Sequence, residues 1–121
     1  MPFAYFARRA RSFAAALHGV RVLAGESHSR IHALAMVVAL GAGVVGELTR
    51  IEWCALTFAI ALVWVAEALN TALEKIADAA VPERHELVGH AKDVGAAAVL
   101  IAALAAVAVG CILFVPRLLA L

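Results

Sequence analysis

The run VGAAAVLIAALAAVAVGCILFVP, residues 94–116, contains no charged side chain. A helix that crosses a bilayer needs about 20 predominantly apolar residues, with a range of roughly 17–25, so this run is long enough by itself. Two further apolar stretches resemble it. Ile31 to Gly46 is uncharged apart from the ionisable His32, and Trp53 to Ala66 continues, interrupted by polar residues, to about Ala77. These two reach spanning length only with their flanking residues, as expected if neighbouring helices shield them.

Composition supports the same solvent. Hydrophobic residues make up 65% of the 121, against roughly 45–50% in ordinary soluble domains. A soluble fold of this size could not bury so much apolar surface, and lipid covers it more readily. The formal net charge is +1, with no long basic run, so no nucleic-acid partner is expected. Cys54 and Cys111 lie far apart in apolar stretches without metal-ligand spacing and read as small hydrophobic side chains. MPFAYFARRARSF has arginines and aromatics but lacks the apolar core and cleavage site of a removed signal peptide.

Arg8, Arg9, Arg11, Arg21 and Arg30 precede the first span. Phe3, Phe6, Phe13, Leu17, Val20 and Leu23 lie among them, the pattern of an amphipathic helix on a membrane surface. The expected fold is therefore an all-α membrane protein in a single domain. Its surface helix covers about 3–25, and its spans cover about 31–48, 51–77 and 92–116. GELTRIE (46–52) carries one arginine and two glutamates, whereas the second loop, taken as about Lys75 to Asp93, carries Lys75, Arg84 and Lys92. The positive-inside rule puts the N-terminus and the second loop in the cytoplasm. Gly41, Gly43 and Gly46 fall inside an apolar helix with no strand before them. They suit close helix packing better than nucleotide binding. Three short helices enclose a polar site poorly alone, which favours a homo-oligomer.

Against this background EALNTALEKIAD (67–78) stands out. At 100° per residue Glu67, Asn70, Glu74 and Asp78 fall at about 0°, −60°, −20° and +20°, on one helix face, over roughly 16 Å. An ionisable group within a bilayer costs a few kcal/mol or more. Three readings answer that cost. One is a polar seam, with the acids paired to Lys75, Lys92 or Arg30. Another is a proton or ion pathway. The last is a metal–phosphate site, since carboxylates and an amide suit Mg²⁺ held together with substrate phosphates. The following segment favours the last. Glu83, Arg84 and His85 lead to Lys92 and Asp93, placed at the start of the third span. There a lysine and free helix amides attract phosphate. Glu26 and Arg30 belong to the same side.

Glu26 with Arg30, EALNTALEKIAD and HELVGHAKDVGAAAVL together resemble the small integral-membrane lipid kinases of bacteria, the diacylglycerol kinase/undecaprenol kinase family. With the three spans, the resemblance covers nearly the whole chain. It implies a homotrimer in the bacterial inner membrane with cytoplasmic active sites shared between subunits. It also implies transfer of the γ-phosphoryl group of MgATP to a lipid hydroxyl. Carried over by position, Glu67 is the general base, and Asn70 orients Glu67 or the substrate. Glu26 and Glu74 hold Mg²⁺ with the phosphates, and Lys92 contacts phosphate. Asp93 organises the nucleotide end, and Asp78, Glu83, Arg84, His85 and Arg8 help bind nucleotide. Arg30 joins Glu67 and Asn70 at the lipid substrate. ALHGV (16–20) departs from the family, in which an aromatic or a lysine often precedes the glycine matched by Gly19. RIH (30–32) and IEW (51–53) look like the undecaprenol kinase branch, and HELVGHAKDVGAAAVL looks like the diacylglycerol kinase branch. Diacylglycerol is the expected acceptor and undecaprenol the alternative. From another class, a non-enzymatic ion conductor or scaffold would use the stripe as a seam.

Overall fold

A computed structural model describes residues 1–121, except for the side chain of Pro2. Its elements are four helices: α1 (Pro2–Ala24), α2 (Ser27–Val45), α3 (Arg50–Ala80) and α4 (Glu86–Leu119). No strand occurs among the described residues. α2, α3 and α4 are each long and apolar enough to cross a membrane, so the all-α fold with three spans stands.

The chain divides into two compact units, 1–31 and 32–121. Within the first, α1 is a regular helix whose outward side chains include Phe3, Phe6, Phe13, Leu17 and Val20. Arg9 folds back one turn, donates to the Tyr5 hydroxyl at 2.8 and 3.1 Å, and lies 5.2 Å from the ring centre.

In the second unit α3 packs along α4. Lipid supplies no hydrophobic drive between helices, so small side chains and polar pairs decide where they meet. At one end Leu48, Leu56 and Leu113 form a buried cluster, with Trp53, Ile60, Val109 and Phe114 packed against it. Arg117 ties this end. Its guanidinium meets the Glu52 carboxylate at 2.8 and 3.1 Å, and it donates to the Gly46 carbonyl at 2.8 Å and the Leu113 carbonyl at 2.6 Å. Glu52 also accepts from the backbone N–H of Thr49, while the Thr49 hydroxyl accepts from that of Glu52. This capping box satisfies amides that an apolar helix start would leave open. At the other end Lys92 pairs with Asp78. The two ion pairs stand 26 residues apart along α3 and 25 along α4, about 38 Å of helix. That separation exceeds a hydrocarbon core of about 30 Å, so each pair can sit in a polar boundary.

Arg117→Met leaves the Gly46 carbonyl without its side-chain donor and Glu52 with only the Thr49 N–H. It is expected to lower the thermal midpoint in detergent, as a thermal scan beside the unsubstituted protein would read.

The three glycines near the first loop separate by role. A Cβ on Gly43 would come within 2.7 Å of Trp53 Cη2, and one on Gly46 within 3.1 Å of Arg117 Cδ. Close packing therefore explains both, whereas Gly41 faces open space. α2 ends with Leu48 N–H donating to the Gly43 carbonyl and Glu47 N–H to that of Val44. This is the Schellman arrangement, which puts a left-handed residue after the helix. That residue is Glu47, with φ of 50°. Glu47→Gly is expected to stabilise the fold by about 0.5–1 kcal/mol, because glycine takes this conformation without steric cost. Thermal unfolding in detergent checks it.

The second loop is shorter than its charge pattern suggests. α3 runs to Ala80 and α4 starts at Glu86, leaving only Val81 to His85 between them. Lys75 and Lys92 are therefore helical, and Lys92 is the seventh residue of α4. The open amides at the start of α4 belong to Glu86 and its successors, which corrects the expectation that they adjoin Lys92 and Asp93.

Candidate functional site

α3 is unbroken from Arg50 to Ala80, so the helical spacing of the acidic stripe holds in three dimensions. Glu67 lies 17 residues from the start of α3, about 26 Å along it, Glu74 about 36 Å and Asp78 about 42 Å. If the Glu52–Arg117 pair marks one polar boundary, Glu67 falls just inside the far side of the hydrocarbon core and Glu74 and Asp78 fall beyond it.

Exposure follows that order. Glu67 is 4% exposed, Asn70 is half-buried, and Glu74 and Asp78 are exposed. Glu67 Oε2 stands 3.6 Å from His32 Nε2. The imidazole also meets the edge of Trp64, with ring centres 6.3 Å apart. In the sequence His32 is the one ionisable group in the stretch from Ile31 to Gly46, and nothing local gives it a role. The missing information was which turn of α2 faces Glu67.

Asn70 donates from Nδ2 to Glu74 Oε1 at 3.1 Å. The amide thus orients Glu74 and not Glu67, whose polar neighbour is His32. Asn70 Oδ1 is buried without a hydrogen-bond donor and lies against the backbone of α4 at Gly95, where a Cβ would overlap it. Gly95 is therefore the residue that lets α4 close over the stripe. In the sequence nothing local sets Gly95 apart from the other small residues of this helix.

Lys92 is partly exposed and lies against Asp78, one of the pairings that the polar-seam reading expected. Asp93, Glu83, Arg84 and His85 are exposed at the same end of α3 and α4. His85 is the residue before α4 and makes no side-chain cap. In the other unit, Glu26 immediately precedes α2, while Arg30 and Arg8 are exposed. Among the described residues no three His, Cys, Asp or Glu side chains form a metal cage. Cys54 and Cys111 are free thiols.

Beside His32 an open cleft of about 400 Å³ runs between α2, α3 and α4. Apart from His32 and the Trp64 indole its lining is apolar, with Ala39, Ala59, Ala103 and Gly110 leaving the space.

Three membrane-crossing helices with a graded acidic face ending at a lysine define an integral-membrane protein with a polar site at one end of its bundle. Residues 14–114 match the family model of prokaryotic diacylglycerol kinases, and the chain belongs to that family. It is 42% identical over 112 residues to a diacylglycerol kinase of Synechocystis, covering 91% of this chain and 64% of that protein. Over 93 residues it is 34% identical to the undecaprenol kinase of Bacillus subtilis, covering 77% and 76% respectively. Over 80 residues it is 45% identical to the diacylglycerol kinase of Escherichia coli K12, covering 66% and 62%. The chain thus spans a little under two thirds of the Synechocystis and Escherichia coli proteins.

Proposed function

We propose that this chain is an ATP-dependent lipid kinase that phosphorylates diacylglycerol to phosphatidic acid. The observation that carries this reading is Glu67, a nearly buried carboxylate in an apolar helix. It shares a helix face with the exposed Glu74 and Asp78, and Asp78 pairs with Lys92. A base at that depth reaches a hydroxyl that its lipid cannot carry into water.

Phosphoryl transfer demands charge neutralisation and in-line positioning more than covalent chemistry from the protein. Glu67 accepts the proton of the attacking hydroxyl, with Arg30 helping to place the lipid. Asn70 holds the Glu74 carboxylate in place through its hydrogen bond. Lys92 balances phosphate charge, and Asp93 organises the nucleotide end with Asp78, Glu83, Arg84 and His85. Arg8 is proposed as a further nucleotide contact. The donor set suits Mg²⁺, which takes oxygen ligands and is commonly bound by one or two carboxylates plus phosphates. Glu74 and Glu26 would hold it, and the ion would neutralise charge on the transferring phosphoryl group.

The wide apolar faces of a single chain support assembly into a homotrimer, with α1 as an amphipathic helix on the membrane surface. Arg8, Arg9, Arg11, Arg21 and Arg30 before the first span, and Lys75, Arg84 and Lys92 around the second loop, support a cytoplasmic N-terminus and site in the bacterial inner membrane.

Purified protein in micelles with MgATP is expected to phosphorylate diacylglycerol in preference to undecaprenol and ceramide. Preference for undecaprenol would favour the second reading, which the similarity to the Bacillus subtilis protein supports. Transfer to none of the three by a folded oligomer would leave the non-enzymatic conductor or scaffold.

A further inference from the structure

We infer that His32 is the proton-relay partner of Glu67, taking from it the proton of the phosphorylated hydroxyl and passing it to water. This rests on the reading of Glu67 as the base. In each turnover the acceptor oxygen bonds to the γ-phosphorus, and the bond from that phosphorus to the β–γ bridging oxygen breaks. ADP leaves with the electron pair. The acceptor's O–H bond breaks, and its proton is left on the Glu67 carboxyl. Glu67 must lose that proton before it can act again, yet its side chain is only 5% exposed.

His32 offers the way out. Its Nε2 lies 3.6 Å from Glu67 Oε2 and its side chain is 20% exposed. The distance is long for a hydrogen bond, and a shift of less than about 1 Å reaches bonding range. Such contacts commonly tighten when substrate binds. With the neutral tautomer protonated on Nδ1, the Nε2 lone pair accepts the carboxyl proton. The imidazolium then releases its Nδ1 proton to water, and proton exchange with water returns the ring from the Nε2–H to the Nδ1–H tautomer before the next turnover. Trp64, one turn before Glu67 on α3, meets the imidazole edge-on and holds it on this path. Among the residues lining the cleft beside His32, no other is titratable. His32 is also only five residues, about 7.5 Å of helix, from the start of α2.

The test uses His32→Gly and His32→Gln in the full chain in micelles. Both should lower kcat about tenfold or more, with the KM for MgATP within about twofold. Added imidazole should restore turnover of His32→Gly in proportion to its concentration and leave Glu67→Gln inactive. Independently of turnover, the ring ¹⁵N resonances of His32 should shift in Glu67→Gln. Wild-type turnover in both His32 variants, a defect that imidazole does not relieve, or unchanged ring resonances would each overturn the relay. An active Glu67→Gln would instead remove the base assignment on which it rests.

Discussion

Glu67→Gln is expected to lower kcat by about 10³-fold, within the 10²–10⁴ span of general acid–base catalysis, while ATP still binds. The substitution keeps the shape of the side chain and removes its capacity to accept a proton. Glu67 is nearly buried, so water cannot easily replace it as base. Glu74 and Asp78, the α3 residues proposed for the nucleotide end, lie beyond Asn70 and keep their contacts with Asn70 and Lys92. A collapse of kcat with little change in the KM for MgATP is therefore the signature, read from steady-state kinetics in micelles beside equilibrium nucleotide binding. Loss of ATP binding in step with turnover would assign Glu67 to the nucleotide instead.

Gly95→Ala is the second large effect, although Gly95 carries no side chain to take part in chemistry. The added methyl would overlap Asn70 Oδ1, with Leu73 Cδ2 also at 3.8 Å. Either Asn70 rotates away and breaks its 3.1 Å bond to Glu74, or α4 moves off α3. Overpacking of this kind costs typically 1–3 kcal/mol. Displacing a positioned group by about 1 Å can cost roughly 10²-fold in rate. Gly95→Ala should therefore lower kcat about 10²-fold and reduce the thermal midpoint. In an Asn70→Ala background the same change should cost far less, because the atom that it strikes is gone. The four proteins form a double-mutant cycle, and additivity within it would show that Gly95 acts elsewhere.

The two effects differ in how far they could be foreseen. Glu67 is legible because an acid inside an apolar run is costly and the helical period alone places it with Asn70, Glu74 and Asp78. Gly95 is one small residue among many in α4, and nothing local distinguishes it. Its role depends on the axial match of α3 to α4. The Thr49–Glu52 capping box had a local signature, Thr-x-x-Glu before an apolar run, that the charge pattern of the loop overshadowed. Lys92 and Asp93 are expected at a helix start that in fact lies six residues earlier, at Glu86, since polar residues can continue a helix beyond the membrane.

By itself the sequence determined that this is an all-helical chain with three spans, and that one face of the second span is acidic. Both follow from hydropathy and the 3.6-residue period, which act within a single helix. The tertiary structure decided which groups meet across helices: His32 with Glu67, Gly95 with Asn70, Lys92 with Asp78 and Arg117 with Glu52. Those meetings depend on the axial register and rotation of one helix against another. In lipid, these are set by small-residue contacts and a few polar pairs, which no periodicity within one strand of sequence encodes.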